Sequence, residues 1–134
     1  MTPTALLIMD VQHGIVERIG SETLLARLTE ATSAARKAHV RVIYVKVGFR
    51  EGYPEISARS PTFASVAESE SFIEGRSSEI HDAVAPQRGD VVVTKRRVSA
   101  FSGSDLDMLL RAGGVATSRG VAAGSSKIVT NASR

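Results

Sequence analysis

Cysteine is absent from all 134 residues. No thiol can attack a substrate, and neither a disulfide framework nor a thiolate metal site can form. Tryptophan is also absent and aromatics make up only 4%, so the core has to come from Leu, Val, Ile and Ala. No apolar run approaches the ~20 residues of a membrane helix, and no membrane partner is expected. The opening Met-Thr-Pro-Thr-Ala lacks the positive n-region of a signal peptide, which points to a cytoplasmic protein. Excess charge is slight, with 17 basic against 14 acidic residues. Apart from Lys95-Arg96-Arg97 the basic residues are scattered, and no aromatics interleave with them to stack bases. Ordinary solvated surface accounts for the excess, and no nucleic-acid partner is expected.

Hydrophobic residues make up 43%, enough for a packed core, and the length suits a single domain over residues 1–134. Residues 4–9 read as a buried strand. Gly14 and Gly20 punctuate a loop. Leu24, Leu28, Ala31 and Ala35 then form one apolar stripe of a helix from Ser21, a plausible N-cap, to about His39. The β-branched run Val40–Val47 reads as a second strand, making a βαβ unit with parallel pairing. Residues 48–62 look like a long loop, and 63–82 like a short helix or irregular cover. A third strand is expected over Asp90–Thr94. Ser104 and Asp107 stand at capping-box spacing before a helix carrying Leu106, Leu109 and Leu110, which Gly113-Gly114 ends. Past that helix the chain turns Gly-, Ala-, Ser- and Thr-rich. Only Lys127–Thr130 could be a strand there. The expected core strand is missing, and a central strand is left with an unpaired edge. Self-association into a homo-oligomer, or poor solubility, is the expected consequence.

Two apolar runs each end in one charged residue, Asp10 and Lys95. In an open parallel sheet the strand C-termini are where ligands and catalytic groups gather. A strand-end Asp also caps turns, and a strand-end Lys also simply reaches solvent. Placed together, they can form a partly desolvated pair in which Asp10 works as general acid or base. Other chemistries lack their residues. Gln12 stands where an Asp-x-Asp phosphoryl-transfer site needs its second aspartate. No acidic cluster marks a receiver domain. Gln12-His13-Gly14 is not Gly-x-Gly-x-x-Gly. Phe101-Ser102-Gly103-Ser104 lacks the first glycine of a nucleophile elbow, and Ser102 or Ser104 reads better as a helix cap. The widely separated His13, His39 and His81 show no metal-ligand spacing, so neither metal nor cofactor is expected.

Ala5-Leu-Leu-Ile-Met-Asp10-Val-Gln12 resembles the opening of isochorismatase-like hydrolases, the superfamily that includes nicotinamidases. Val42-Ile-Tyr-Val-Lys-Val-Gly-Phe49-Arg50 looks like its second strand and loop. Gly89-Asp-Val-Val-Val-Thr-Lys95-Arg-Arg-Val-Ser99-Ala-Phe101 is similar to its lysine-bearing strand and Ser-Ala-Phe stretch, and an Asp-Leu helix follows. The resemblance covers about residues 4–113, with 114–134 a divergent tail. It implies a three-layer α/β/α fold with a parallel sheet, here with an incomplete C-terminal part. In cysteine-dependent members the aspartate matching Asp10 is the base, and the lysine matching Lys95 supports the ionised thiol. The nucleophile position falls near Gly120. True isochorismatases resemble this arrangement without a cysteine, their aspartate acting as an acid on an enol ether. The resemblance therefore implies a hydrolase of a small molecule with an amide or enol-ether bond. Asp10 and Lys95 would be catalytic, and Gln12, Phe49, Arg50 and Phe101 would lie near the substrate. The alternative is an inactive or truncated relic that serves as a binding module. A deletion, a shifted reading frame or a truncated gene would each explain the tail.

Overall fold

A computed structural model describes residues 4–20, 22–57, 59–69, 71–75, 78–97, 99–115, 117–122 and 125–132. Strand β1, Thr4–Met9, lies inside a five-stranded sheet of order β3-β2-β1-β4-β5. The other strands are β2 (Arg41–Val47), β3 (Val91–Lys95), β4 (Thr117–Ala122) and β5 (Ser125–Ala132). β1 pairs in parallel with both β2 and β4, and β2 pairs in parallel with β3. Only β5 runs antiparallel, as a partner of β4.

Side chains alternate across the sheet and divide the core in two. Ala5, Leu7, Ile43, Val45 and Val93 point to one face, where they meet Leu106 and Leu110 of helix α4 (Leu106–Ala112). Ile8, Val42 and Tyr44 point to the other. There Val16 of helix α1 (His13–Ile19) and Leu28 and Ala35 of helix α2 (Glu22–Lys37) cover them. Helices on both faces of a mostly parallel sheet make the three-layer α/β/α architecture. Each fully buried Leu, Ile or Val contributes roughly 1.5–3 kcal/mol, and Ile8, Leu28, Ile43, Leu106 and Leu110 are all at 1% exposure or less.

Several elements differ from the sequence reading. Residues 13–19 are helical rather than loop, with Gly14 inside the helix and Gly20 closing it at φ 65°. The third strand is shifted by one, so Lys95 is its last residue. Helix α3 (Pro61–Glu68) starts within the supposed loop, with proline in its first turn. At the end of α4 the left-handed glycine is Gly114 (φ 64°), whereas Gly113 stays right-handed at φ −82°. Ser21, the expected N-cap, lies outside the described residues.

The largest difference is in the tail. The missing strand is present as β4, with Thr4 opposite Thr117 and Met9 opposite Ala122. Its Thr-Ser-Arg-Gly-Val-Ala sequence has little strand signal of its own. The open edge of β1 supplies the hydrogen-bond partners that make it a strand. β1 is thus paired on both sides, and the exposed central edge expected from sequence does not exist. The short strand expected at Lys127–Thr130 is the longer β5.

Candidate active site

β1 is apolar until it reaches the rim, where Asp10 turns the chain out of the sheet. Asp10 adopts φ 61°, a left-handed conformation that short polar Asp tolerates better than most residues. Its N–H still donates to the Val45 carbonyl at 2.9 Å, so the turn starts from a paired strand. Lys95 ends β3, one strand beyond β2, and stands opposite Val47 in register. Its stem crosses the end of β2 and brings Nζ to 3.2 Å from Asp10 Oδ1. The Lys95 side chain is 8% exposed and that of Asp10 25%.

The two carboxylate oxygens are not equivalent. Nζ donates a directed hydrogen bond to Oδ2 at 3.5 Å. Oδ1 is closer to the ammonium but lies out of line. It is sealed from solvent and accepts no hydrogen bond among the described residues. Among the described residues Oδ1 is held by the charge of Lys95.

Beside the pair, loop 48–57 is pinned by an arginine–glutamate clasp. Arg96 donates to the Gly48 carbonyl at 2.6 Å and reaches Glu55 Oε1 at 3.3 Å and Glu74 Oε1 at 3.2 Å. Arg50 meets the same Glu55 oxygen at 2.6 Å. Burial pushes the Glu55 carboxyl up. Hydrogen bonds from its own N–H, the Arg50 N–H and the Arg50 guanidinium, with the charge of Arg96, outweigh burial and hold it below its ordinary value of about 4.5. A carboxyl lowered in the folded state contributes stability above its unfolded value and loses it as pH falls through the folded one. The protection of the Arg50 amide, its exchange rate compared with that of the unfolded chain at the same pH, is therefore expected to fall as pH drops below about 4.5. Glu55→Gln is expected to remove that acid step, and an unchanged profile in the variant would exclude the clasp as its cause.

The other candidate residues are dispersed. Gln12 and Phe49 are fully buried, with no atom at the surface to meet a substrate. Both have interior partners in this structure. Gln12 bonds to main-chain groups, and the Phe49 ring packs 5.8 Å from that of Tyr53. Arg50 is exposed and held by Glu55. Phe101 is 36% exposed on the turn after Lys95, next to buried Ala100. Gly120, the expected nucleophile position, sits within β4 opposite Leu7. Asp10 is three residues further along β1, about 10 Å at the rise of a strand. Gly120 is therefore below the rim and cannot present a nucleophile to Asp10. The rim-level positions after Ala122 lie outside the described residues.

The histidines are not all separate. The His13 and His81 rings meet at 4.8 Å, tilted by 39°. His81 Nδ1 accepts from the Ala83 N–H, and His13 Nε2 lies 3.3 Å from Asp82 Oδ1. Among the described residues no group of three or more metal-ligating side chains forms. Surface hollows of about 370 and 360 Å³ lie beside His13 and Asp82 and between α2 and residues 83–87, and neither is lined by Asp10 or Lys95.

With this geometry in view, comparison with known proteins is decisive. Residues 4–124 match the isochorismatase domain. The chain belongs to the isochorismatase family. The match extends through β4, beyond the motifs that carried the resemblance. Ureidoacrylate amidohydrolase RutB of Stutzerimonas stutzeri is 29% identical over 139 aligned positions, covering 84% of this chain and 55% of that protein. The isochorismatase family protein YwoC of Bacillus subtilis is 32% identical, covering 85% and 59%. A cysteine hydrolase from Pseudomonas syringae pv. phaseolicola superposes with a TM-score of 0.75 at 26% identity, covering 89% and 58%. The chain thus spans a little over half the length of these isochorismatase-family relatives.

Proposed function

We propose that this isochorismatase-family chain is a small-molecule hydrolase that cleaves an amide or an enol-ether bond. Asp10 serves as general acid and base, with Lys95 as its electrostatic partner. The reading rests on the 3.2 Å pair at the C-terminal rim of the parallel sheet, largely shielded from water. It draws further support from relatives named as amidohydrolases.

With no cysteine in the chain, water is the nucleophile on either route. On an amide, Asp10 takes a proton from water as its oxygen bonds to the carbonyl carbon, then returns that proton to the leaving nitrogen as the C–N bond breaks. On an enol ether, protonated Asp10 gives its proton to the vinyl carbon. Water adds to the resulting oxocarbenium and gives up a proton to the Asp10 carboxylate, and the neutral hemiketal then falls apart to a ketone and an alcohol as its hydroxyl proton passes to the leaving oxygen. In both, the Lys95 ammonium stabilises the carboxylate whenever it is charged. A binding module without turnover is the second reading, and the placement of Gly120 within a strand favours it over any thiol-type mechanism.

The test is a turnover assay on small amides, ureidoacrylate among them, and on isochorismate. Product formation is expected, with a loss on the order of 10²–10⁴-fold in Asp10→Ala. Saturable binding with no product from any of these compounds would establish the binding module instead.

A further inference from the structure

After Asp10 the main chain and the side chains take different partners. The backbone of residues 11–13 leaves β2 and pairs with a later segment. The His81 N–H donates to the Val11 carbonyl at 2.9 Å, the His13 N–H donates to the Glu79 carbonyl at 3.0 Å, and Gln12 bridges antiparallel to Ile80. β2 nevertheless continues to Val47 with its hydrogen bonds satisfied. Gln12 supplies them from its side chain. Nε2 donates to the Val47 carbonyl at 2.7 Å, and Oε1 accepts the Val47 N–H at 2.8 Å. Nε2 also donates to the Ser78 carbonyl at 2.8 Å, which uses both amide hydrogens.

A side-chain amide thus does what a main-chain peptide of β1 would have done two residues past the Asp10 N–H to Val45 bond. The substitution falls at the turn, where Asp10 holds φ 61°. Val47, held from one side by Gln12, pairs on its other side with Lys95. The clamped residue lies between the two halves of the ion pair.

We infer that Gln12 is the positioning residue of the site: its buried amide replaces the main chain on β2, which lets the backbone leave the sheet at Asp10 and sets the carboxylate against Lys95. The inference builds on the reading of Asp10 as the acid/base group and assigns Gln12 no contact with substrate. Gln12 has no accessible surface, so any effect it has on chemistry passes through Asp10 and Val47.

The experiment is a double-mutant cycle read by NMR at fixed pH. Lys95→Met is introduced into the parent and into Gln12→Met, which keeps the volume and removes all three hydrogen bonds. In the parent, Lys95→Met is expected to move the side-chain carboxyl resonance of Asp10. In Gln12→Met that movement is expected to shrink to less than about half, because the two groups no longer face each other. Equal movement in both backgrounds would overturn the inference. If Gln12→Met does not fold, Gln12→Glu retains the acceptor for the Val47 N–H and loses the amide donors. A reduced movement there supports the inference, and a full one rejects it. On a turned-over substrate, Gln12→Met is expected to lower kcat on the order of 10²-fold with KM little changed. If Asp10→Ala leaves turnover intact, the hydrolase reading falls on its own. The resonance coupling needs no turnover and still decides the role of Gln12.

Discussion

Lys95→Met is expected to reduce turnover by about 10²–10⁴-fold, the span over which a positioned acid–base group acts. Methionine keeps most of the apolar stem that crosses β2 and deletes only the charge. Asp10 Oδ1, sealed from solvent, then loses the cation 3.2 Å away, and nothing else among the described residues donates to it. Without that charge the carboxylate is no longer held in the geometry from which it would exchange a proton with water or substrate. The same change is expected to destabilise the fold by about 1–3 kcal/mol, the cost of leaving a buried polar group unpaired. Because Asp10 is one-quarter exposed, the cost stays below that of a fully buried pair. Steady-state kinetics and urea denaturation measure the two effects separately. A wild-type rate in a folded Lys95→Met protein would remove Lys95 from the chemistry.

Arg36→Met is expected to have the largest effect on stability, about 3–5 kcal/mol, the range for breaking a buried ion pair from one side. Arg36 of α2 reaches Asp90, at the entrance to β3, through Nη2–Oδ2 at 2.5 Å and Nε–Oδ1 at 3.5 Å. It also donates to the Tyr44 hydroxyl at 3.1 Å. The Asp90 side chain is 6% exposed, and its other contact is the Gln87 N–H at 2.9 Å. The hydrogen bond to Asp90 raises the Arg36 guanidinium above its ordinary value despite burial. Burial pushes the Tyr44 phenol up while the guanidinium draws it down, so removing Arg36 strands a second polar group. Asp90→Asn in the same chain is expected to recover part of the loss, because a neutral amide is cheaper to leave unpaired. An Arg36→Met protein with the parental urea midpoint would show that the pair contributes nothing.

Asp10 and Lys95 were legible in the sequence because each is the first charge after an apolar run, and strand ends in parallel sheets are where such charges meet. The helices over Leu24–Ala35 and Leu106–Leu110 were legible from their apolar spacing. α1 was hidden by Gly14, which reads as a loop residue until Val11 and Val16 are buried against the sheet. β4 was hidden because pairing with β1, not its own composition, makes it a strand. The role of Gln12 had no local signal. Its partners Val47 and Ser78 lie 35 and 66 residues away, and only the folded chain brings them to one amide. The Glu55 clasp was likewise invisible, since it depends on loop 48–57 folding back onto Arg96.

The doubly paired β1 also bears on the order in which the molecule assembles. β2 begins about thirty residues after β1 ends, so a nascent chain emerging from the ribosome can pair these two early. Thr4 finds its other partner only at Thr117, 113 residues further on, and joining such distant segments is slow. Until residues 117–122 have been synthesised, one flank of the opening strand offers bare peptide groups to any neighbouring chain. Cool growth and slow induction, which give that last closure time to outrun aggregation, should favour recovery of folded protein.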